Sequence, residues 1–160
     1  MISHHSQLVL GVEAMMNNLP TDVNWRLKMI TAGGHTYPAQ STLFPLTRGD
    51  DIDDALYMLT DLPYDGGESG FAAVQNYINS DAYAQTWMRP SAALLTVFVS
   101  DEPEQSGIDP ADFIWWYEGV RNSSYMASIV NVPASESICS YSPGPTTVGQ
   151  SYIDATNYFA

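Results

Sequence analysis

The chain has 160 residues and 17.6 kDa, 45% of them hydrophobic and 12% aromatic, enough apolar material for one core of ordinary size. Five Lys and Arg stand against 18 Asp and Glu, a formal net charge of -13 and a pI near 4.1, so a phosphate backbone or an anionic lipid surface would repel the protein, and nucleic acid is not an expected partner. No stretch approaches the roughly 18 to 20 uninterrupted apolar residues of a membrane helix, the N-terminus lacks the basic-then-apolar profile of a signal peptide, and a single cysteine, Cys139, excludes an internal disulfide or a thiolate-rich metal site.

From Leu8 the stripe Leu8, Val12, Met15, Met16 and Leu19 has helical spacing and ends at Pro20, with Ser3 or Ser6 available as N-cap. Trp25 to Ala32 alternates Trp25, Leu27 and Met29 with Arg26 and Lys28 and stops at Gly33-Gly34, which predicts a strand with one side partly solvated. Between His35 and Gly49, Pro38 and Pro45 leave room only for a short or edge strand around Leu43-Phe44. Asp50, Asp51, Asp53 and Asp54 crowd the start of a short helix expected over Ile52 to Leu62, where carboxylates favour the positive end.

A break at Pro63-Tyr64-Asp65-Gly66-Gly67 precedes a second helical pattern, with Phe71, Val74 and Ile78 on one face and Glu68 in its first turn. A polar link leads to Trp87. Ala92 to Val99 then reads AALLTVFV, a run suited to a central strand buried on both sides, and it ends at Ser100-Asp101-Glu102-Pro103. Asp109-Pro110-Ala111-Asp112 supplies an N-cap, a proline at the first helical position and an acid three residues after the cap, opening a helix that buries Phe113, Trp116, Tyr117 and Val120. Met126 to Val132 reads as another apolar strand, followed by a Ser/Pro/Gly-rich loop from Pro133 to Gly149 and a tail from Ser151 that begins a further element. Alternating helices and strands with short connections predict a single α/β domain over 1–160, a three-layer sandwich of Rossmann-like type with a mainly parallel central sheet flanked by helices. In such sheets ligands sit beyond the carboxyl ends of the strands.

Two carboxylates occupy positions of that kind: Asp101, directly after the apolar strand, and Glu68, after a Gly-Gly turn. An aspartate after a strand also forms turns, and a glutamate before a helix also interacts with its dipole, so each position has a structural reading beside the functional one. Asp65 and Glu102 can either bind an ion through water or solvate a loop. His4, His5 and His35 lack the spaced partners of a metal or acid/base site and read as surface residues. Cys139 has no base near it in sequence, and Trp115-Trp116-Tyr117 is an aromatic run of which at most two can face a core, leaving one for a partner.

The text Trp87-Met88-Arg89-Pro90-Ser91-Ala92, then Leu94 to Val99, then Ser100-Asp101-Glu102 resembles the von Willebrand factor A domain, in its bacterial surface-protein branch. Asp65-Gly66-Gly67-Glu68-Ser69-Gly70-Phe71-Ala72-Ala73 is similar to a helix start of the same family. The resemblance runs from about Ser6 to Tyr158 and implies a divalent ion, Mg²⁺ or alternatively Ca²⁺ or Mn²⁺, in a metal-ion-dependent adhesion site at the top of the sheet. Hard oxygen ligands suit such a cation. Residue by residue, it implies Asp101 and Glu68 as metal ligands, with Asp65 an alternative to Glu68 in the same loop and Asp65, Glu102 and Ser100 as supporting residues around them.

The family's first motif, Asp-x-Ser-x-Ser, has no counterpart before Met1-Ile2-Ser3, so the resemblance implies an excerpt missing the first strand and the last helix. Ser3 and Ser6 could replace the absent serines, and helix capping explains them equally.

The function implied is non-enzymatic recognition or adhesion, in which a protein partner's carboxylate, or a glycan, completes the ion's coordination. The alternative is a metal-free structural or interaction domain of an extracellular or virion assembly. A hydrolase lacks any Gly-x-Ser-x-Gly elbow here. With charged residues at 14% and one lysine, Lys28, the surface leans on Ser, Thr, Asn, Asp and Tyr, which suits a secreted or salt-exposed protein, and the resemblance implies an extracellular place at a cell or virion surface.

Overall fold

A computed structural model of the chain describes residues 2–33, 45–51, 53–54, 67–133 and 147–159, with side chains of the first helix described from Leu10. The expected edge strand at Leu43-Phe44, most of the helix over Ile52 to Leu62 and most of the loop from Pro133 to Gly149 lie outside the described residues. The chain divides into two compact units, one of residues 1–31 with 37–64 and one of residues 32–36 with 65–160.

In the first unit, α1 (Ile2–Asn18) is followed by one more turn bond, from the Leu19 N–H to the Met15 carbonyl, before Pro20. Ser3 and Ser6 lie within this helix, not at its cap. The segment Trp25 to Ala32 is extended but forms no strand: among the described residues it makes a single antiparallel bridge, Leu27 with Leu46, closed by N–H to carbonyl bonds of 2.9 and 2.8 Å. The reason lies in the partner. Directly after Leu46 the chain turns, with the Asp50 carboxylate accepting from the Thr47 N–H at 2.5 Å and Gly49 at φ 97°, and the residues before Pro45 lie outside the described ones. The alternation read from sequence nevertheless has a physical basis, because Trp25, Leu27 and Met29 pack with Val12 and Met16 around the buried Leu46.

The second unit contains α2 (Gly70–Ser80), α3 (Ala84–Trp87), β1 (Leu94–Ser100), α4 (Pro110–Glu118), β2 (Ser124–Val130) and α5 (Gln150–Tyr158). β1 and β2 pair in parallel, in register from Leu94 with Ser124 to Ser100 with Val130, so α4 is the crossover that parallel pairing requires. Its start is local in origin: Asp109 Oδ1 accepts from the Ala111 N–H at 2.8 Å and Pro110 occupies the first turn. The polar link before Trp87 holds the short α3, where Asp81 Oδ1 accepts from the N–H groups of Tyr83 and Ala84 at 2.8 and 3.0 Å.

Phe98 of β1 meets Phe71 of α2, Phe113 of α4 and Tyr152 of α5, with ring centroids at 5.5, 5.9 and 4.8 Å. These three helices therefore meet one face of the sheet, and Phe71 stacks on Phe113 at 4.1 Å in the centre of the cluster. On the other face Leu95, Val97 and Val99 of β1 and Tyr125 and Ile129 of β2 are 42 to 63% exposed. The run expected to be buried on both sides thus alternates, because among the described residues the helices that pack on the sheet cover only the side that Phe98 faces. Of the four residues expected in the core from α4, Phe113 and Tyr117 are buried, while Trp116 and Val120 are half-buried. The fold class is α/β with a parallel pair of strands. No described helix is long and apolar enough to cross a membrane.

Candidate functional site

At the carboxyl end of β1 the chain runs from Ser100, the strand's last residue, into the acidic turn Asp101-Glu102. The Ser100 hydroxyl accepts from the Glu102 N–H at 3.1 Å and lies 2.9 Å from the Glu102 carbonyl, which folds the turn back on the strand end. The neighbouring strand braces it. Asn131, one residue beyond β2, donates from Nδ2 to the Asp101 carbonyl at 2.8 Å, and its own carbonyl accepts from the Gly149 N–H at 3.0 Å ahead of α5.

Glu68 reaches the same place from the segment before α2. The helix begins at Gly70, so Glu68 stands two residues ahead of it and not in its first turn as expected. From there its Oε2 accepts from the Ser100 hydroxyl at 3.1 Å, while its backbone carbonyl accepts from the Gln105 N–H at 2.6 Å. Gln105 also donates from Nε2 to Glu102 Oε2 at 2.9 Å. The loop after β1 is thus fastened to the segment before α2 by main chain and side chain together.

A second fastening caps α2. Ser69 is the residue before the helix but makes no capping bond with its side chain; instead the Phe71 N–H donates to Glu104 Oε1 at 3.3 Å and the Gly70 N–H to the Tyr152 hydroxyl at 3.2 Å. Two of the N–H groups that every helix start leaves without an internal partner are satisfied by side chains remote in sequence. Glu104 Oε2 is held by the N–H and hydroxyl of Ser106, at 2.9 and 2.8 Å. Gly70 is required here by contact: a Cβ would sit 2.7 Å from the Tyr152 hydroxyl and 3.0 Å from Phe98 Cδ1. Burial pushes the Tyr152 phenol well above its ordinary value.

Of the candidate residues, the structure brings Glu68, Ser100, Asp101 and Glu102 to one strand end. Asp65 lies outside the described residues, as do His35, Cys139 and the side chains of His4 and His5. Partial burial pushes the Glu68 carboxyl above the ordinary glutamate value; the Ser100 hydroxyl pulls it down, and the negative charges of Asp101 and Glu102 push it up again. Asp101 is exposed, and its carboxylate accepts no hydrogen bond from the described residues. The donors gathered here are all oxygens, hard ligands of the kind that Mg²⁺ and Ca²⁺ take, but among the described residues no three His, Cys, Asp or Glu side chains converge as a metal-holding group. Glu104, Gln105 and Asn131 are the site residues that sequence reasoning missed. Glu104 and Gln105 stand in the same acidic turn as Asp101, and nothing in their spacing indicates what they hold.

Comparison of the chain with family models, with curated protein sequences and with solved structures gives no match.

Proposed function

We propose that the chain is a non-enzymatic recognition module of von Willebrand factor A type, its parallel strand pair belonging to a larger three-layer sandwich, which engages a carboxylate-bearing protein partner through a divalent ion at the carboxyl end of β1. The observation that carries this reading is the approach of Glu68 to Ser100 beside Asp101, from two segments 32 residues apart. Two like charges near one partly desolvated carboxyl are costly on their own, and a cation between them offsets that cost. Glu68 and Asp101 would hold the ion, with Ser100 positioning Glu68 and water or Asp65 supplementing them. The ion, when bound, supplies an electrophilic contact for a partner's carboxylate. The protein's own part is to fix the turn, through Asn131 and Gln105, so that Asp101 stays at the strand end.

The experiment is a calorimetric titration of Mg²⁺, Ca²⁺ and Mn²⁺ into the purified chain, with melting followed in parallel, because an ion that binds only the folded state raises the melting temperature. Saturable binding that Asp101→Ala abolishes is the expected result. No binding at millimolar metal refutes the metal-dependent reading. It then favours a metal-free interaction domain of a surface or virion assembly, a reading supported by the apolar sheet face at Leu95, Val97, Val99, Tyr125 and Ile129.

A further inference from the structure

The aromatic run Trp115-Trp116-Tyr117 takes no part in the acidic strand end. At 100° per residue, Trp115 lies about 180° from the centre of the face that α4 turns to the core. It is 80% exposed, whereas Phe113 and Tyr117 are 0% exposed. No ring of the described residues stacks on its indole. Trp116 beside it is half-buried and held from behind, with ring centroids 5.5 Å from Phe113 and 6.2 Å from Tyr117. Together with Ile78 and Asn79 at the end of α2, and with the turn that ends in Arg121, the two indoles line an open groove of about 690 Å³.

The polar groups of the groove are anchored. Glu118 Oε1 accepts from the Tyr158 hydroxyl at 2.9 Å, and Arg121 Nη1 donates to the Val120 carbonyl at 2.7 Å. The guanidinium carries further N–H donors, the carboxylate a second oxygen, and the Asn79 amide both a donor and an acceptor. One positive and one negative side chain cancel within the groove, and the net charge of -13 disfavours an anionic ligand. A purely apolar ligand seated on the indoles would desolvate Glu118 and Arg121 without replacing their hydrogen bonds to water. A ligand with an apolar C–H face and a hydroxyl rim avoids that cost, since polarised C–H groups meet the negative face of an indole and hydroxyls both donate and accept.

From this we infer that the groove binds a neutral saccharide, one sugar ring lying on Trp115 and its hydroxyls meeting Arg121, Glu118 and Asn79. The site lies at the end of the crossover remote from Asp101, and it does not depend on a metal ion. The test is binding of the full chain to an array of neutral glycans with hexose, N-acetylhexosamine and deoxyhexose termini, followed by calorimetric titration of the best oligosaccharide. Trp115→Ala and Arg121→Gln should each weaken binding about tenfold or more, while melting moves by no more than about 2 °C, as for other surface substitutions. Neither EDTA nor Asp101→Ala should alter the titration, which separates this site from the acidic strand end. Three results overturn the inference: no neutral glycan bound, binding unchanged in Trp115→Ala, or an oligomer that Trp115→Ala converts to a monomer in sedimentation, which would make the groove a seat for a second copy.

Discussion

Gly70→Ala tests how the helix start that delivers Glu68 is held. A Cβ at this position would stand 2.7 Å from the Tyr152 hydroxyl, 2.9 Å from Tyr152 Cε1 and 3.0 Å from Phe98 Cδ1, all inside ordinary contact distance and all belonging to fully or nearly fully buried rings. Overpacking of this kind costs about 1 to 3 kcal/mol. Gly70 is the first helical residue, where the better interior propensity of alanine counts for little, so the net loss is about 1 to 3 kcal/mol, or about 3 to 9 °C in melting for a chain of this size.

Tyr152→Phe removes one of the three close contacts and, by itself, leaves the Gly70 N–H without its acceptor, a cost of about 1 to 3 kcal/mol. In the double variant the hydroxyl clash is absent while the contacts to Cε1 and Cδ1 persist. Gly70→Ala should therefore cost less in the Tyr152→Phe background, with a less-than-additive coupling of at least about 0.5 kcal/mol. Melting of the four proteins, followed by near-ultraviolet circular dichroism of the aromatic cluster, measures the cycle. If Gly70→Ala is as stable as the parent, or its cost agrees in both backgrounds within about 0.3 kcal/mol, the close packing of Tyr152 on this turn is wrong.

Asp109→Ala should lower stability by about 1 kcal/mol by removing the cap of α4, and Asp109→Asn should restore most of it, both read from thermal melts. Tyr117→Phe should cost about 1 to 2 kcal/mol in the same assay, because the phenol, pushed up to about 12 by burial, bonds to Thr96 Oγ1 at 2.8 Å and to the Tyr125 carbonyl at 3.0 Å, tying α4 to both strands. In EDTA, Glu68→Gln should melt above the parent at neutral pH. With its pKa raised in the folded state, Glu68 contributes stability that is fully present below its ordinary value of 4.5 and lost as pH rises through the folded value, so the gap should close on acidification to about pH 4. A gap that is constant over that range refutes the raising of the Glu68 carboxyl by burial and, to a lesser extent, by Asp101 and Glu102.

What the sequence made legible was the part whose causes are local. Asp109-Pro110 caps its own helix, and the apolar runs read as Ala92 to Val99 and Met126 to Val132 fall on strands at Leu94–Ser100 and Ser124–Val130, one or two residues from the expected ends. The strand expected over Trp25 to Ala32 depended instead on its partner, where the turn directly after Leu46 leaves one bridge among the described residues. The candidate site was legible to the extent that a carboxylate at a strand end is a recognisable position. The groups that hold it in place were not. Glu104 caps a helix 33 residues away, Tyr152 reaches Gly70 across 82 residues, and Asn131 reaches the Asp101 carbonyl across 30, and no spacing rule along one chain encodes a bond that only the folded sheet brings within reach.

The same bonds sort the four carboxylates of the strand end by task. Glu104 is committed to structure, one oxygen on the Phe71 N–H and the other on Ser106. Glu102 is engaged by Gln105, and Glu68 by Ser100 through one oxygen only. The Asp101 side chain alone among them accepts nothing from the described residues, although its carbonyl is clasped by Asn131. Truncation should follow that division. Glu104→Ala removes acceptors from a partly buried helix start and from Ser106, at a cost of about 1 to 3 kcal/mol in a metal-free melt. Asp101→Ala removes one exposed charge from a cluster of like charges, and should change the same melt by no more than about 0.5 kcal/mol. A stability loss at Asp101 comparable to that at Glu104 would mean that Asp101 is held in place as a structural residue, which would remove the physical ground for assigning it to a partner or an ion.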